Sequence, residues 1–309
     1  MTASSGRIAV IDIGTNTLLL LVVERGAAGA LVPVRDLCRF GRLGQGLDAS
    51  GRLHEDAIAR SLAICGEYAA VMAECGCDRR FVIGTQALRE AHNAAAFVGP
   101  AERLLGAKIE IIEGAREADL AFRAVAATFP ELRGSPYVVV DVGGGSTEII
   151  ATRDGEHVES ATSVKIGAVR LRERHLHGDP PTADEVRALV ADIDAALAPP
   201  TLPRGVIVIG TAGTATTLAS VQLGLHAYDP DRVTGLRLEA AAVDAALVRL
   251  LSMTIARRRA LPGMVVERAD VLPAGVAIFS RVIAKIAAPA MIVCDRGIRW
   301  GVAHERLPA

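Results

Sequence analysis

The sequence predicts an α/β fold built from two related domains, and three observations point there. Short β-branched and leucine-rich runs alternate with stretches of helical apolar spacing. A strand that ends in Asp and turns on glycine occurs twice, as "VIDIGTNTLLL" and "VVVDVGGGSTEII". One constant offset carries Asp12 onto Asp141, Gly14 onto Gly143 and Thr17 onto Ser146. That offset is a duplication at domain scale, far longer than the roughly 20–50 residues of a solenoid repeat.

The elements follow in order. "RIAVIDIG" and "TLLLLVVER" read as two buried strands of one hairpin. "ALVPVRDLCRF" is a third strand, moved to a sheet edge by Pro33, which has no N–H to give a ladder. The stretch from His54 to Gly76 has helical apolar spacing and stops at a glycine. "RFVIGT" is a strand feeding one helix over "QALREAHNAAAFV", "AKIEIIEG" a strand, and "AREADLAFRAVAATF" a helix. The pattern then restarts. "YVVVDVGGG" and "STEIIATRDG" form a second hairpin that "EHVESATSV" extends. A helix is expected around Arg170 to His175, and another between the proline pairs of "PPTADEVRALVADIDAALAPP". "GVIVIGTAG" is a strand and "TATTLASVQLG" a helix. Helices over 239–251 and 269–286, the strand "AMIVCDRG" and a short last helix complete the chain.

Composition narrows the function. At 309 residues, with 51% hydrophobic and 22% charged, the chain is globular. A net charge of −1 argues against a general DNA or membrane-surface binder, and 3% aromatics leave few rings to stack bases. Five cysteines without a Cys-x-x-Cys pattern argue against a disulfide framework or a zinc site. The N-terminus lacks a signal-peptide pattern and "LLLLVV" is too short to span a bilayer, so a cytoplasmic protein is expected.

"DVGGGST" is neither of the common nucleotide loops. A dinucleotide fingerprint needs a third glycine where Glu148 stands, and a Walker loop needs a lysine that is absent. A phosphate-binding hairpin turn remains, with a tight hairpin carrying incidental acids as the other reading. Gly143, Gly144 and Gly145 let an anion approach the backbone, and Ser146 and Thr147 add hydroxyl donors. The flanking Asp141 and Glu148 suit a hard cation, Mg²⁺ or another divalent ion, with Asp12 a further candidate. "VIVIGTAGTATTLAS" sets Thr211, Gly213 and Thr214 at a helix start, where an anion site and an ordinary threonine cap are equally good readings. Two arginine clusters, Arg170/Arg172/Arg174 and Arg257–Arg259, read either as anion-steering patches or as solvated helix faces.

Taken in order, "VIDIGTNT", "GTQALREA", "IIEGAREADLAF", "VVVDVGGGSTEI", "IGTAGTATTLA", "LPGMVVERADVLPAGVAI" and "VCDRGIRWGVAHE" resemble the exopolyphosphatase/guanosine-pentaphosphate phosphatase (Ppx/GppA) family of the actin/Hsp70/sugar-kinase superfamily. The resemblance runs from about Ile8 to Glu305. It implies two ribonuclease-H-like (actin-like ATPase) domains with a cleft between them: residues 1–122 completed by 298–309, and 123–297. It also implies Mg²⁺-dependent hydrolysis of a terminal phosphoanhydride of inorganic polyphosphate, with guanosine pentaphosphate or another nucleoside polyphosphate as the alternative substrate. By the family's motifs, Glu117 of "GAREA" is the general base and Arg89 of "GTQALR" a phosphate clamp. Asp141 and Glu148 are metal-site acids, and Asn16 and Thr17 are loop contacts. Arg116 stands where the family pattern has the first of two acids. A homodimer is a further expectation. The competing classes are a kinase of the same superfamily and a non-catalytic polyphosphate or alarmone sensor.

Overall fold

The structure, a computed structural model, describes residues 6–26, 29–198 and 202–307. The chain divides into two compact units. One holds the described residues up to Ala124 and those from Ile298 onward, and the other is Val125–Gly297.

The first unit contains β1 (Ile8–Ile13), β2 (Leu18–Arg25), β3 (Leu31–Arg39), α1 (Leu47–Ser50), α2 (Glu55–Glu74), β4 (Arg79–Gly84), α3 (Gln86–Glu90), α4 (Ala95–Leu105), β5 (Ile109–Ile111) and most of α5 (Gly114–Thr128). Its sheet runs β3-β2-β1-β4-β5. The first three strands are antiparallel neighbours, while β4 and β5 lie parallel to β1. β1 is buried at every position, as a central strand covered on both faces must be. β3 is an edge strand, and Pro33 sits opposite Val23 where the β2–β3 register shifts by a bulge. α2 buries Ala57, Ser61, Cys65, Tyr68 and Met72, one stripe of near-fourfold spacing. The Tyr68 hydroxyl satisfies itself by donating to the Leu18 carbonyl at 2.7 Å.

One expectation fails here. "QALREAHNAAAFV" is not one helix but α3 and α4, with extended backbone at Ala91. The break is tertiary. The His92 N–H donates to the Gly51 carbonyl, and the Asn93 side chain clamps both the N–H and the carbonyl of Leu53. These bonds replace the intrahelical ones that a continuous helix would offer.

The second unit contains β6 (Tyr137–Val142), β7 (Thr147–Thr152), β8 (Ser160–Val164), α6 (Ala168–His175), α7 (Ala183–Leu197), β9 (Ile207–Thr211), α8 (Ala212–Leu223), α9 (Pro230–Val233), β10 (Arg237–Glu239), α10 (Ala240–Leu251), α11 (Ile255–Arg259), α12 (Leu272–Ile286) and β11 (Ala290–Val293). Its sheet runs β10-β11-β9-β6-β7-β8. Read from β8, the order repeats that of the first unit, and β10 is an added antiparallel edge. α12 is buried along nearly its whole length and packs with α6, α7, α8 and α10. α7 starts on a capping box between Thr182 and Glu185. Pro199 and Pro200, expected to bracket its other end, lie outside the described residues. The last helix, α13 (Ile298–Arg306), belongs to the first unit and packs on β1 and β2. Among the described residues no helix is long and apolar enough to cross a membrane.

Candidate functional site

In each unit the two central strands meet at the same turn. The Gly14 N–H donates to the Thr17 carbonyl at 2.9 Å, and the Gly143 N–H donates to the Ser146 carbonyl at 3.0 Å. Each turn is also held from behind by the segment that follows the third strand of its sheet. In the first unit the N–H groups of Arg42 and Gly44 donate to the carbonyls of Asn16 and Thr15. Arg42 reaches that geometry with φ at +49°, an uncommon value for a residue with a Cβ. In the second unit Ala168 donates to Gly143, and Val169 and Arg170 donate to Gly144.

The first unit places Asp12 at the end of β1, level with Leu19 of β2. Asn16 is 6% exposed, and its Oδ1 is buried without a hydrogen-bond partner among the described residues. Such an atom calls for a ligand or an ordered water. Thr17, half-buried, closes the turn. The Thr15 hydroxyl donates to Oε1 of Gln86, so the turn touches the start of α3. Arg89 on the same helix donates from Nη1 to Glu117 Oε1 at 2.7 Å and also to the Ile112 carbonyl. Its Nε lies 3.8 Å from Glu113. Glu117 is 6% exposed in the first turn of α5, where an acid also favours the helix dipole. The two residues expected to act on phosphate and water thus form one largely buried ion pair.

In the second unit Asp141 sits between Glu148 on β7 and Thr211 on β9, its register partners on either side. Burial pushes the Asp141 carboxyl up to about 6, against a smaller opposing effect of the Thr211 hydroxyl. Glu148 is buried and accepts from the Ser163 hydroxyl at 2.7 Å. Ser146 is buried at the turn. Thr147 does not add a hydroxyl to it, because its Oγ1 donates to the Ile166 carbonyl at 2.7 Å. Thr211 occupies the N-cap position of α8 without making a side-chain cap bond, so an ordinary cap is not its role. Ala212 follows with φ at +63°. Thr214 is buried, and its side chain lies against Gly275 of α12.

Residues 22–309 match the sequence profile of the Ppx/GppA phosphatase family. The chain belongs to that family. It is 40% identical over 282 residues to exopolyphosphatase 2 of Mycobacterium tuberculosis, covering 87% of each chain. It is 30% identical over 307 residues to the guanosine-5'-triphosphate,3'-diphosphate pyrophosphatase of Vibrio cholerae, covering 98% of this chain and 59% of that one. The crystal structure of the Aquifex aeolicus Ppx/GppA family member matches with a TM-score of 0.82 at 30% identity, over 97% of both chains. The two mixed sheets are therefore those of the Ppx/GppA fold.

Arg116 directly precedes Glu117 near the start of α5. The arginine bonds Asp119 at 2.8 Å and Glu305 of α13, so it ties two helices of the first unit together. Glu117 keeps its contact with Arg89. A divalent cation fits the second unit's donor set. Asp141 and Glu148 are cross-strand neighbours with oxygen donors only, and the raised Asp141 carboxyl is a buried charge that a cation would compensate. Among the described residues no group of three or more His, Cys, Asp or Glu gathers as a metal cage. A cation here would complete its shell with water and phosphate oxygens, as Mg²⁺ commonly does.

Three contacts escape a sequence reading. A Cβ on Gly213 would collide with the Arg268 guanidinium, so that arginine lies over the start of α8. Arg170 and Arg258 sit in clusters that look like solvated or steering charge, yet both are buried. Arg258 donates to the carbonyls of Leu250 and Ala269, and Arg170 donates to that of Gly145. The glycine just before the "AVR" of Arg170 is the signal that could have marked a close backbone approach.

Proposed function

We propose that this chain is a Mg²⁺-dependent exopolyphosphatase that hydrolyses the terminal phosphoanhydride of inorganic polyphosphate. The observation that carries the reading is the buried Glu117–Arg89 pair on α5 and α3, next to a turn that touches α3 through Thr15 and Gln86. A kinase needs no such base for water, and a sensor needs no base at all. Identity of 40% to exopolyphosphatase 2, against 30% to the guanosine pentaphosphate enzyme, favours inorganic polyphosphate as substrate.

In this mechanism the glycine turn and the first-unit turn bind phosphate oxygens through backbone N–H groups, Ser146, Asn16 and Thr17. The start of α8, through Thr211, Gly213 and Thr214, adds N–H donors at the positive end of a helix dipole. Glu117 accepts a proton from the attacking water as its oxygen bonds to the terminal phosphorus. The bridging P–O bond breaks, and orthophosphate leaves a chain shorter by one unit. Arg89 orients Glu117, and its guanidinium fork is placed to share charge with the transferring group. Asp141 and Glu148, with Asp12 a further candidate, would hold the cation, which when bound supplies positive charge to the phosphate oxygens.

A phosphate-release panel tests the reading, using short polyphosphate, long polyphosphate, guanosine pentaphosphate and ATP, each with and without Mg²⁺. The expected result is release from polyphosphate that needs the cation. Faster release from guanosine pentaphosphate would transfer the proposal to that substrate. ATP turnover only with an added acceptor would make the chain a kinase.

A further inference from the structure

The three glycines of the second-unit turn expose three peptide planes, and each carbonyl among them is bonded from the same side. The Gly143 carbonyl accepts from Ala168 at 2.9 Å, and the Gly144 carbonyl accepts from Val169 at 2.8 Å and Arg170 at 3.1 Å. These donors are the first N–H groups of α6, which would otherwise lack partners. The segment comes so close that a Cβ on Gly167 would lie 2.5 Å from the Gly144 carbonyl. In a trans peptide the N–H points opposite to the carbonyl of the same plane. The N–H groups of Gly144, Gly145 and Ser146 therefore face away from α6. No backbone hydrogen bond among the described residues uses them.

The third plane differs from the other two. The Gly145 carbonyl is held by a side chain, Nε of Arg170, at 2.8 Å. Arg170 is 8% exposed, so this is a buried charge-assisted bond to a backbone that glycine leaves free to rotate. We infer that Arg170 is a positioning residue that sets the direction of the Ser146 N–H, and so fixes the third donor of the phosphate turn. It acts from behind and does not touch the substrate. The inference rests on the reading of this turn as a phosphate site. First-unit geometry makes the assignment sharper, since the matching Asn16 carbonyl accepts from a backbone N–H, that of Arg42. Among the described residues, the Gly145 carbonyl of the second turn depends on a side chain that one substitution can remove.

The test compares R170K and R170M with R258K. Arg258 is another buried arginine that bonds backbone carbonyls away from the turn. The readouts are thermal melting, direct binding of tripolyphosphate, and kcat and KM for phosphate release. Losing a charge-assisted bond predicts about 10- to 100-fold weaker tripolyphosphate binding and a matching rise in KM for R170M. R170K should recover part of the loss, and R258K should lower the melting temperature without changing binding. Equal binding losses in R170M and R258K at equal loss of stability would reduce Arg170 to a structural role and overturn the inference. So would wild-type affinity in folded R170M. Wild-type protein that binds tripolyphosphate without hydrolysing it, with that binding lost in R170M and not in R258K, would refute the exopolyphosphatase reading but uphold this one. Wild-type protein that binds no tripolyphosphate would refute both.

Discussion

Replacing Glu117 by glutamine separates the carboxylate's chemistry from its packing. The glutamine carbonyl can still accept from Arg89 Nη1, now 2.7 Å from Oε1, so the side-chain geometry survives. What goes is the negative charge. A charge-assisted bond contributes about 1.5–3 kcal/mol and a neutral one about 0.5–1.5, so the stability loss should be about 1 kcal/mol. That corresponds to a melting shift of roughly 2–4 °C for a chain of this order. Removal of a general base costs about 10²- to 10⁴-fold in rate, or about 3–5 kcal/mol of barrier. The rate effect therefore exceeds the stability effect, and one experiment reads both. Phosphate release from saturating short-chain polyphosphate should fall at least 100-fold while the melt moves only slightly. Turnover within about threefold of wild type, in folded E117Q, would remove Glu117 as the base. A melt lowered by more than about 10 °C would show that the residue's role is structural.

Other perturbations read other parts of the molecule. Asp141→Asn should weaken Mg²⁺ dependence and activity together, by about tenfold or more in kcat/KM, and an unchanged Mg²⁺ titration would refute the cation assignment. Gly301→Ala drives a Cβ into the Leu120 backbone carbonyl, which has no side-chain freedom to yield. It should cost at least about 2–3 kcal/mol by denaturant titration, and a wild-type midpoint would show that α13 can shift. Glu185 accepts from the N–H groups of His177, Gly178 and Thr182, and these bonds lower its carboxyl from 4.5 to about 2. Its stabilisation is thus complete above about pH 4.5 and lost as pH falls toward 2. Acid melts of wild type and Glu185→Gln should converge at the low end of that range, and parallel curves would refute the assignment.

Much of the fold was legible because its signals are local. The mostly apolar runs of β1 and β6, each ending near an Asp, read as buried strands, and Pro33 marked β3 as an edge. The repeated Asp-Gly hairpin announced the repeated strand order. What stayed hidden depends on partners distant in sequence. Asn93 breaks a helix by bonding Leu53, and β10 has three residues, too few to show a period. The site divides the same way. The glycine turn and its acids stand together in one stretch, whereas the contact of Arg89 with Glu117 joins two motifs 28 residues apart. Arg170 and Arg258 show why charge patterning alone misleads. Their burial is set by which carbonyls the fold brings within reach, and neighbouring arginines in the same clusters carry no mark that separates them.

The last helix has a consequence for how the protein is made. α13 closes the first unit through the Leu120–Gly301 approach, the Arg299–Asp36 pair and the Arg116–Glu305 pair. The first unit therefore stays open until α13 has been made, after every residue of the second unit. The half synthesised earliest, with Glu117 and Arg89, is the half finished latest. Vectorial synthesis thus reverses the folding order that N-terminal domains usually follow. On the proposed reading, a truncated chain lacking α13 would carry the complete glycine turn while Glu117 sits on a unit that is not yet closed.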